Sequence, residues 1–131
     1  MSVMNRITTQ RDALFHFLEH ELGDRLQAVS FDPQMSRPTP GTVAIFVEPP
    51  DVSYDKGFNM PPTVRWTLEC MSGTPATQAR ALDDILDVIE QLAQAGLNLD
   101  TCTPVSFTLP NSGGTLAAYQ IKLNPLEYTM E

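Results

Sequence analysis

The sequence predicts one α+β domain over residues 1–131: a mixed or antiparallel sheet of about five strands, two helices packed on one of its faces, and a projecting β-hairpin arm. Three observations lead there. Two stretches carry apolar residues at helical spacing and close on glycine. Five shorter stretches are β-branched or alternate with period two. The chain, 42% hydrophobic, is long enough for one core that removes roughly two-thirds of its unfolded surface from water. The predicted order is α-β-β-β-α-β-β, with no internal repeat and no linker long enough to divide the chain.

Thr9, followed three residues later by Asp12, reads as a helix N-cap, and Ile7, Leu14, Phe15, Phe17, Leu18 and Leu22 gather on one side at helical spacing. The first helix therefore runs to about Leu22, where Gly23 stops it. Leu26 to Phe31 reads as a short strand and Thr42 to Glu48 as a second. The run Val43, Ala44, Ile45, Phe46, Val47 puts apolar side chains on both faces, which places the second strand inside its sheet. Asp32, Pro33, Pro38, Pro40 and Gly41 exclude helix between them.

In the third strand Val64, Trp66, Leu68 and Cys70 alternate with Thr63, Arg65, Thr67 and Glu69, giving one apolar and one polar face. Trp66 falls in the apolar register, so core packing is its expected role. Thr74 as N-cap, with Pro75 at the first helical position, opens the second helix, and Gly96 closes it after Ala95. Its stripe is Leu82, Ile85, Leu86, Ile89, Leu92 and Ala93, widened by Ala81 and Val88, against Asp83, Asp84, Asp87 and Glu90 on the opposite side. Two strands follow, Val105 to Leu109 and Thr115 to Leu123, joined by the turn-rich Pro110 to Gly114; residues 124–131 form a tail.

Eight basic against sixteen acidic residues, with Lys56 and Lys122 the only lysines, leave no basic face to neutralise a row of phosphates. Tight nucleic-acid binding is not expected. The longest aliphatic-aromatic run, Val43 to Val47, is too short to span a bilayer, and Met1 to Gln10 has no apolar signal-peptide core, so neither a membrane nor a cleaved export signal is expected. Cys70 ends the alternating run and Cys102 lies in a polar turn; neither has a closely spaced partner, so reduced thiols and no zinc are expected.

His16, Glu19 and His20 fit the H-x-x-E-H pattern of inverted zinc peptidases. Helical projection puts all three on the polar side of the first helix without a recognisable third ligand, so a solvated face is expected instead. The acidic face of the second helix points away from the core, where nothing raises a carboxyl pKa for acid catalysis. No phosphate-binding or dinucleotide-binding glycine motif and no G-x-S-x-G elbow occurs. No enzyme, cofactor or metal is therefore expected.

Residues 48–62 form a connection long enough to be functional. Val52, Tyr54, Phe58 and Met60 alternate around Asp55, Lys56 and Gly57, as in a small hairpin arm whose Gly57 supplies a positive φ, with Pro49, Pro50, Pro61 and Pro62 stiffening its base. Such an arm either folds back on the domain or offers Tyr54 and Phe58 as an apolar patch.

The layout of helix Arg11 to Leu22, strand VRWTLECMSG from Val64 to Gly73, helix QARALDDILDVIEQLAQAGL and a closing hairpin ending AAYQIKLN resembles the tail terminator, or tail completion, family of siphophages, the lambda-type terminators of long-tailed bacteriophages. The resemblance spans nearly the whole chain and rests on element order rather than on an invariant motif. It implies a six-subunit ring, a structural virion protein made in the host cytoplasm, that caps the tail tube, ends its polymerisation and meets the head-side connector. No cofactor or catalysis is implied.

Partners would be further copies of the chain, the tail tube protein and the connector, with viral DNA passing through unbound. Six copies would carry a formal charge of −48, six times −8, which disfavours adhesion of phosphate. Tyr54, Lys56, Phe58 and Met60 are the expected contact residues, nominated mainly from local patterning. The nearest competing reading is a head-to-tail adaptor of the phage neck; more distant ones are a cytosolic ligand-binding α/β domain and a zinc hydrolase using His16 and His20.

Overall fold

The computed structural model describes residues 5–32, 41–73, 77–108 and 114–125. Helix α1 spans Arg6–Leu22 and is capped by Asn5, whose Oδ1 accepts from the backbone N–H of Ile7 at 3.0 Å and of Thr8 at 3.1 Å. The expected cap, Thr9, is instead inside the first turn and turns its hydroxyl back to the Asn5 carbonyl at 2.9 Å. Asparagine reaches two orphan N–H groups from an extended conformation, so the helix starts earlier than the Thr9 signal suggests. Gly23 ends it as predicted, and one 3₁₀ turn, Gly23–Arg25, leads into the sheet.

The strands are β1 (Leu26–Ser30), β2 (Val43–Val47), β3 (Asp51–Ser53), β4 (Thr63–Arg65), β5 (Thr67–Ser72), β6 (Leu99–Thr108) and β7 (Thr115–Leu123), with helix α2 (Gln78–Gln94) between β5 and β6. The main sheet has the order β1-β2-β5-β7-β6; β1 runs parallel to β2 and every other pair is antiparallel. The predicted mixed sheet of five strands is present, and β2 lies inside it. The arm adds a separate two-stranded sheet, β3 with β4.

Leu14, Leu18 and Leu22 of α1 and Ile85, Val88 and Leu92 of α2 share one core with Val43, Ile45, Val47, Leu68, Cys70 and Ile121, so both helices cover the same face of the sheet. Gln91 joins the helices. Its amide donates to the Glu21 carbonyl at 2.8 Å, and its Oε1 accepts from Arg25 Nη1 at 2.7 Å.

Three sequence expectations change. The alternation across Val64 to Cys70 is real in burial, but the strand breaks at Trp66: residues 63–65 pair with the arm and residues 67–72 with the main sheet. On α2 the buried line is Ala81, Ile85, Val88 and Leu92, while Leu82 and Ile89 are half-buried flanks and Leu86 is 45% exposed. In this orientation Ala81 packs close to Gly73 at the end of β5, where an added Cβ would stand 3.0 Å from the Ala81 Cβ. Finally, β6 begins at Leu99, not Val105, so Cys102 lies in a strand and not in a turn. Pro104 is tolerated there because β6 is an edge strand with no further ladder to donate to. The Thr74–Pro75 cap, most of the Pro110 to Gly114 turn and the tail beyond residue 125 lie outside the described residues.

The opposite face of the sheet carries a second, smaller core of Ala44, Met71, Phe107, Leu116 and Ala118. Phe46 of β2 and Phe107 of β6 approach to 6.4 Å between ring centroids. Their strands are three positions apart in the sheet, so the two side chains lean toward each other across this second core.

Candidate functional site

The arm is built by the short pairing Asp51↔Arg65, Val52↔Val64 and Ser53↔Thr63, and by two successive turns at its tip. Gly57 N–H donates to the Tyr54 carbonyl at 3.4 Å, and Met60 N–H to the Gly57 carbonyl at 3.2 Å. Gly57 has φ 109°, a conformation that costs residues with a Cβ, which confirms the turn role expected of it. The Thr63 hydroxyl donates to Asp55 Oδ1 at 3.0 Å, tying the two legs together. Pro61 and Pro62 are buried and anchor the returning leg.

All residues from 51 to 60 are exposed. Phe58 is 93% exposed, Tyr54 60% and Met60 47%, so the arm does not fold back to shelter its aromatics. Lys56 stands between them and has no ion pair among the described residues. The four nominated residues thus share one exposed loop, residues 54–60. Exposed aromatics on this scale are normally covered by a partner.

At the root of the arm a cavity of about 280 Å³ opens between α1 and the end of β2, with Ile7, Phe31, Val47, Pro50 and Trp66 among its walls. Phe31 at this cavity is 60% exposed and packs against Phe15 at 6.3 Å, with the Arg11 guanidinium 5.2 Å from its ring centroid. Trp66 is buried, as expected, and its Nε1–H donates to the buried Gln10 Oε1 at 2.9 Å. Sequence reasoning missed this cavity, because its walls come from four separate segments.

It also missed a pair of carboxylates on the second face of the sheet. There the row Ala44, Met71, Ala118, Val105 gives way to Phe46, Glu69, Gln120, Thr103, so the face turns from apolar to polar along the strands. Glu48 follows, accepting from Gln120 Nε2 at 3.3 Å. Burial first, and the Glu48 charge second, push the Glu69 carboxyl above the usual carboxylate range. The polar alternation of Thr67 and Glu69 was the available signal.

Because Glu69 has a higher pKa folded than unfolded, the native state holds its proton more tightly, and stability is lost as pH rises from the ordinary carboxylate pKa through the raised one. Glu69→Gln is therefore expected to raise Tm at neutral pH and to flatten the Tm profile above about pH 4. Thermal melts followed by circular dichroism across that range test this; an unchanged profile would mean that solvent relaxes the strain.

The remaining groups do not converge. His16, Glu19 and His20 are exposed on α1, and no group of three His, Cys, Asp or Glu residues among the described residues is placed to hold a metal ion. Complete burial, with a smaller push from Cys102, raises the Cys70 thiol to about 12, and burial also raises Cys102, so both remain thiols near neutral pH. No described helix is long and apolar enough to cross a membrane. No protein-family model matches the chain, and no curated protein matches it significantly.

Proposed function

We propose that this chain is a structural assembly protein, the ring-forming terminator of a long-tailed bacteriophage tail. The observation that carries the proposal is the arm, a tied hairpin that holds Tyr54, Phe58 and Met60 in solvent. Ordering exposed aromatics on a stiff support serves association, since rigid anchors lose little entropy on binding. The element order supports the same reading through its resemblance to the terminator family, and the two edge strands suit side-by-side assembly.

In this reading the chain forms a homohexamer at the end of the tail tube, halts addition of tube subunits and meets the head-side connector, located in the virion at the head-tail junction. The acidic balance suits a conduit from which DNA must slide free. The role requires no cofactor, metal or catalytic residue.

Electron microscopy of lysates from the parent phage lacking this gene tests the proposal. Overlong tubes of uneven length without heads are expected. Tubes of normal length beside unattached heads would favour a head-to-tail adaptor, and normal infectious particles would exclude a neck role.

At the level of the protein, replacing Tyr54 and Phe58 together with serine is expected to change stability by no more than about 0.5 kcal/mol, because both are exposed. Assembly should weaken sharply. Loss of cooperative unfolding in that variant would show that the aromatics belong to the core.

A further inference from the structure

We propose that the C-terminal segment, residues 126–131, docks on its own domain, with Leu126 entering a cavity between α1 and the end of β7. The surface involved is separate from the arm, and the assembly reading is not needed for it.

The cavity measures about 230 Å³, with apolar walls from Leu14 and Phe17 of α1, Trp66, Leu97 and Leu123. Phe17 and Leu97 are only half-buried there, although both pack against the main core. Sites that hold free drug-sized ligands run to roughly 300–1,000 Å³, so this one is better matched to one or two side chains.

Gln10 adds a polar requirement. It lines the cavity and is only 7% exposed. The Trp66 indole can only donate, so the oxygen of the Gln10 amide must face it, at 2.9 Å, and the amide nitrogen is turned elsewhere. Among the described residues nothing accepts from that Nε2. A buried donor without an acceptor is costly, so the fitting occupant brings an oxygen as well as apolar surface.

The chain's own continuation meets both demands. Asn124 is locked beside the cavity: its N–H donates to the Asn98 carbonyl at 2.8 Å, its Nδ2 donates to the Leu99 carbonyl at 3.2 Å, and its own carbonyl accepts from Asn98 Nδ2. Asn98 and Leu123, the partner and the chain neighbour of that residue, are both cavity walls. An extended chain advances at most ~3.6 Å per residue, so Leu126 lies within about 7 Å of Asn124. Leu126, Tyr128 and Met130 alternate with Glu127, Thr129 and Glu131, which gives an extended segment one apolar edge, and each residue carries a carbonyl able to accept from Gln10. A free molecule or a second copy would compete with a segment tethered at the cavity, whose effective concentration is on the order of millimolar.

Nuclear Overhauser spectroscopy of the full chain tests the docking. Contacts between the Leu126 methyls and the rings of Phe17 and Trp66 are expected, and a sample mixing labelled with unlabelled chains should show them within one molecule. Leu126→Ser should raise the unfolded-to-folded ratio ~10-fold or more, because a buried leucine side chain is lost, whereas Leu126→Met, which keeps the volume, should lose clearly less. The side-chain amide protons of Gln10 should exchange with solvent ~10-fold faster or more in Leu126→Ser.

Absence of those contacts in the folded full chain would overturn the docking, as would a Leu126→Ser chain that matches wild type in stability and in Gln10 exchange. Contacts found only between molecules would also overturn it and show the segment exchanged between copies. The contact measurement uses the unaltered chain, so it decides the question even where a variant fails to fold. The electron microscopy of phage lysates tests the terminator role separately.

Discussion

Replacing Trp66 with alanine is expected to cost about 3–5 kcal/mol, the range for emptying a large aromatic site, and to lower Tm by roughly 10–20 °C. Trp66 is 4% exposed and sits where the chain passes from the arm into the main sheet. Its carbonyl accepts from Leu123 N–H at 3.0 Å, so its backbone also holds the end of β7. Its indole N–H engages Gln10 at 2.9 Å, and that amide is itself buried on α1.

One residue therefore joins arm, sheet and first helix. Trp66→Phe separates the contributions: it keeps most of the apolar volume and leaves the Gln10 amide unpartnered, for an expected loss of about 1–3 kcal/mol. Circular dichroism must read these melts, because Trp66 is the only tryptophan and its fluorescence is lost with it. Equal stability of Trp66→Phe and wild type would show that the hydrogen bond contributes nothing.

Gly73→Ala is expected to destabilise the fold by about 2–4 kcal/mol, combining the cost of a left-handed alanine with overpacking. Gly73 has φ 69°, and an added Cβ would stand 2.6 Å from Thr77 Oγ1 and 3.0 Å from Ala81 Cβ. The start of α2 would have to move off β5. Removing the hydroxyl as well, in Gly73→Ala with Thr77→Ala, should recover part of the overpacking cost and none of the backbone cost. Denaturant midpoints measure both, with Trp66 fluorescence as the probe. A Gly73→Ala chain as stable as wild type would show that α2 can slide along the sheet without loss.

Both residues illustrate how far sequence reading reaches. Trp66 could be placed in the core from its register with Leu68 and Cys70, because alternation alone says which side of a strand is apolar. That the strand breaks at Trp66 could not be read, since each half follows the same alternation and only its partner differs: β3 for one, β2 and β7 for the other. Gly73 carried no local signal beyond a turn. Its importance comes from Ala81, eight residues later, at a distance of closest approach that periodicity does not encode.

The arm was the more legible part of the candidate site. Tyr54, Lys56, Phe58 and Met60 could be nominated from alternation around Gly57, since a short hairpin has no interior of its own. The cavity at its root was not legible. Ile7, Phe31, Val47, Pro50 and Trp66 come from separate segments and meet only after α1 packs on the sheet. The Glu48 and Glu69 pair was hidden for a related reason: adjacency across strands depends on register, and register is chosen by the whole sheet.

By itself the sequence determined that there are two helices ending at Gly23 and near Gly96, an interior second strand, and a proline-framed arm, because helical and strand periodicity, turn residues and caps act over a few neighbouring positions. Only the tertiary structure decided the order β1-β2-β5-β7-β6, the rotation of α2 onto Ala81, Ile85, Val88 and Leu92, and the second core roofed by Phe46 and Phe107. Those features depend on which apolar faces meet, a choice made by non-local packing among surfaces that each segment leaves open.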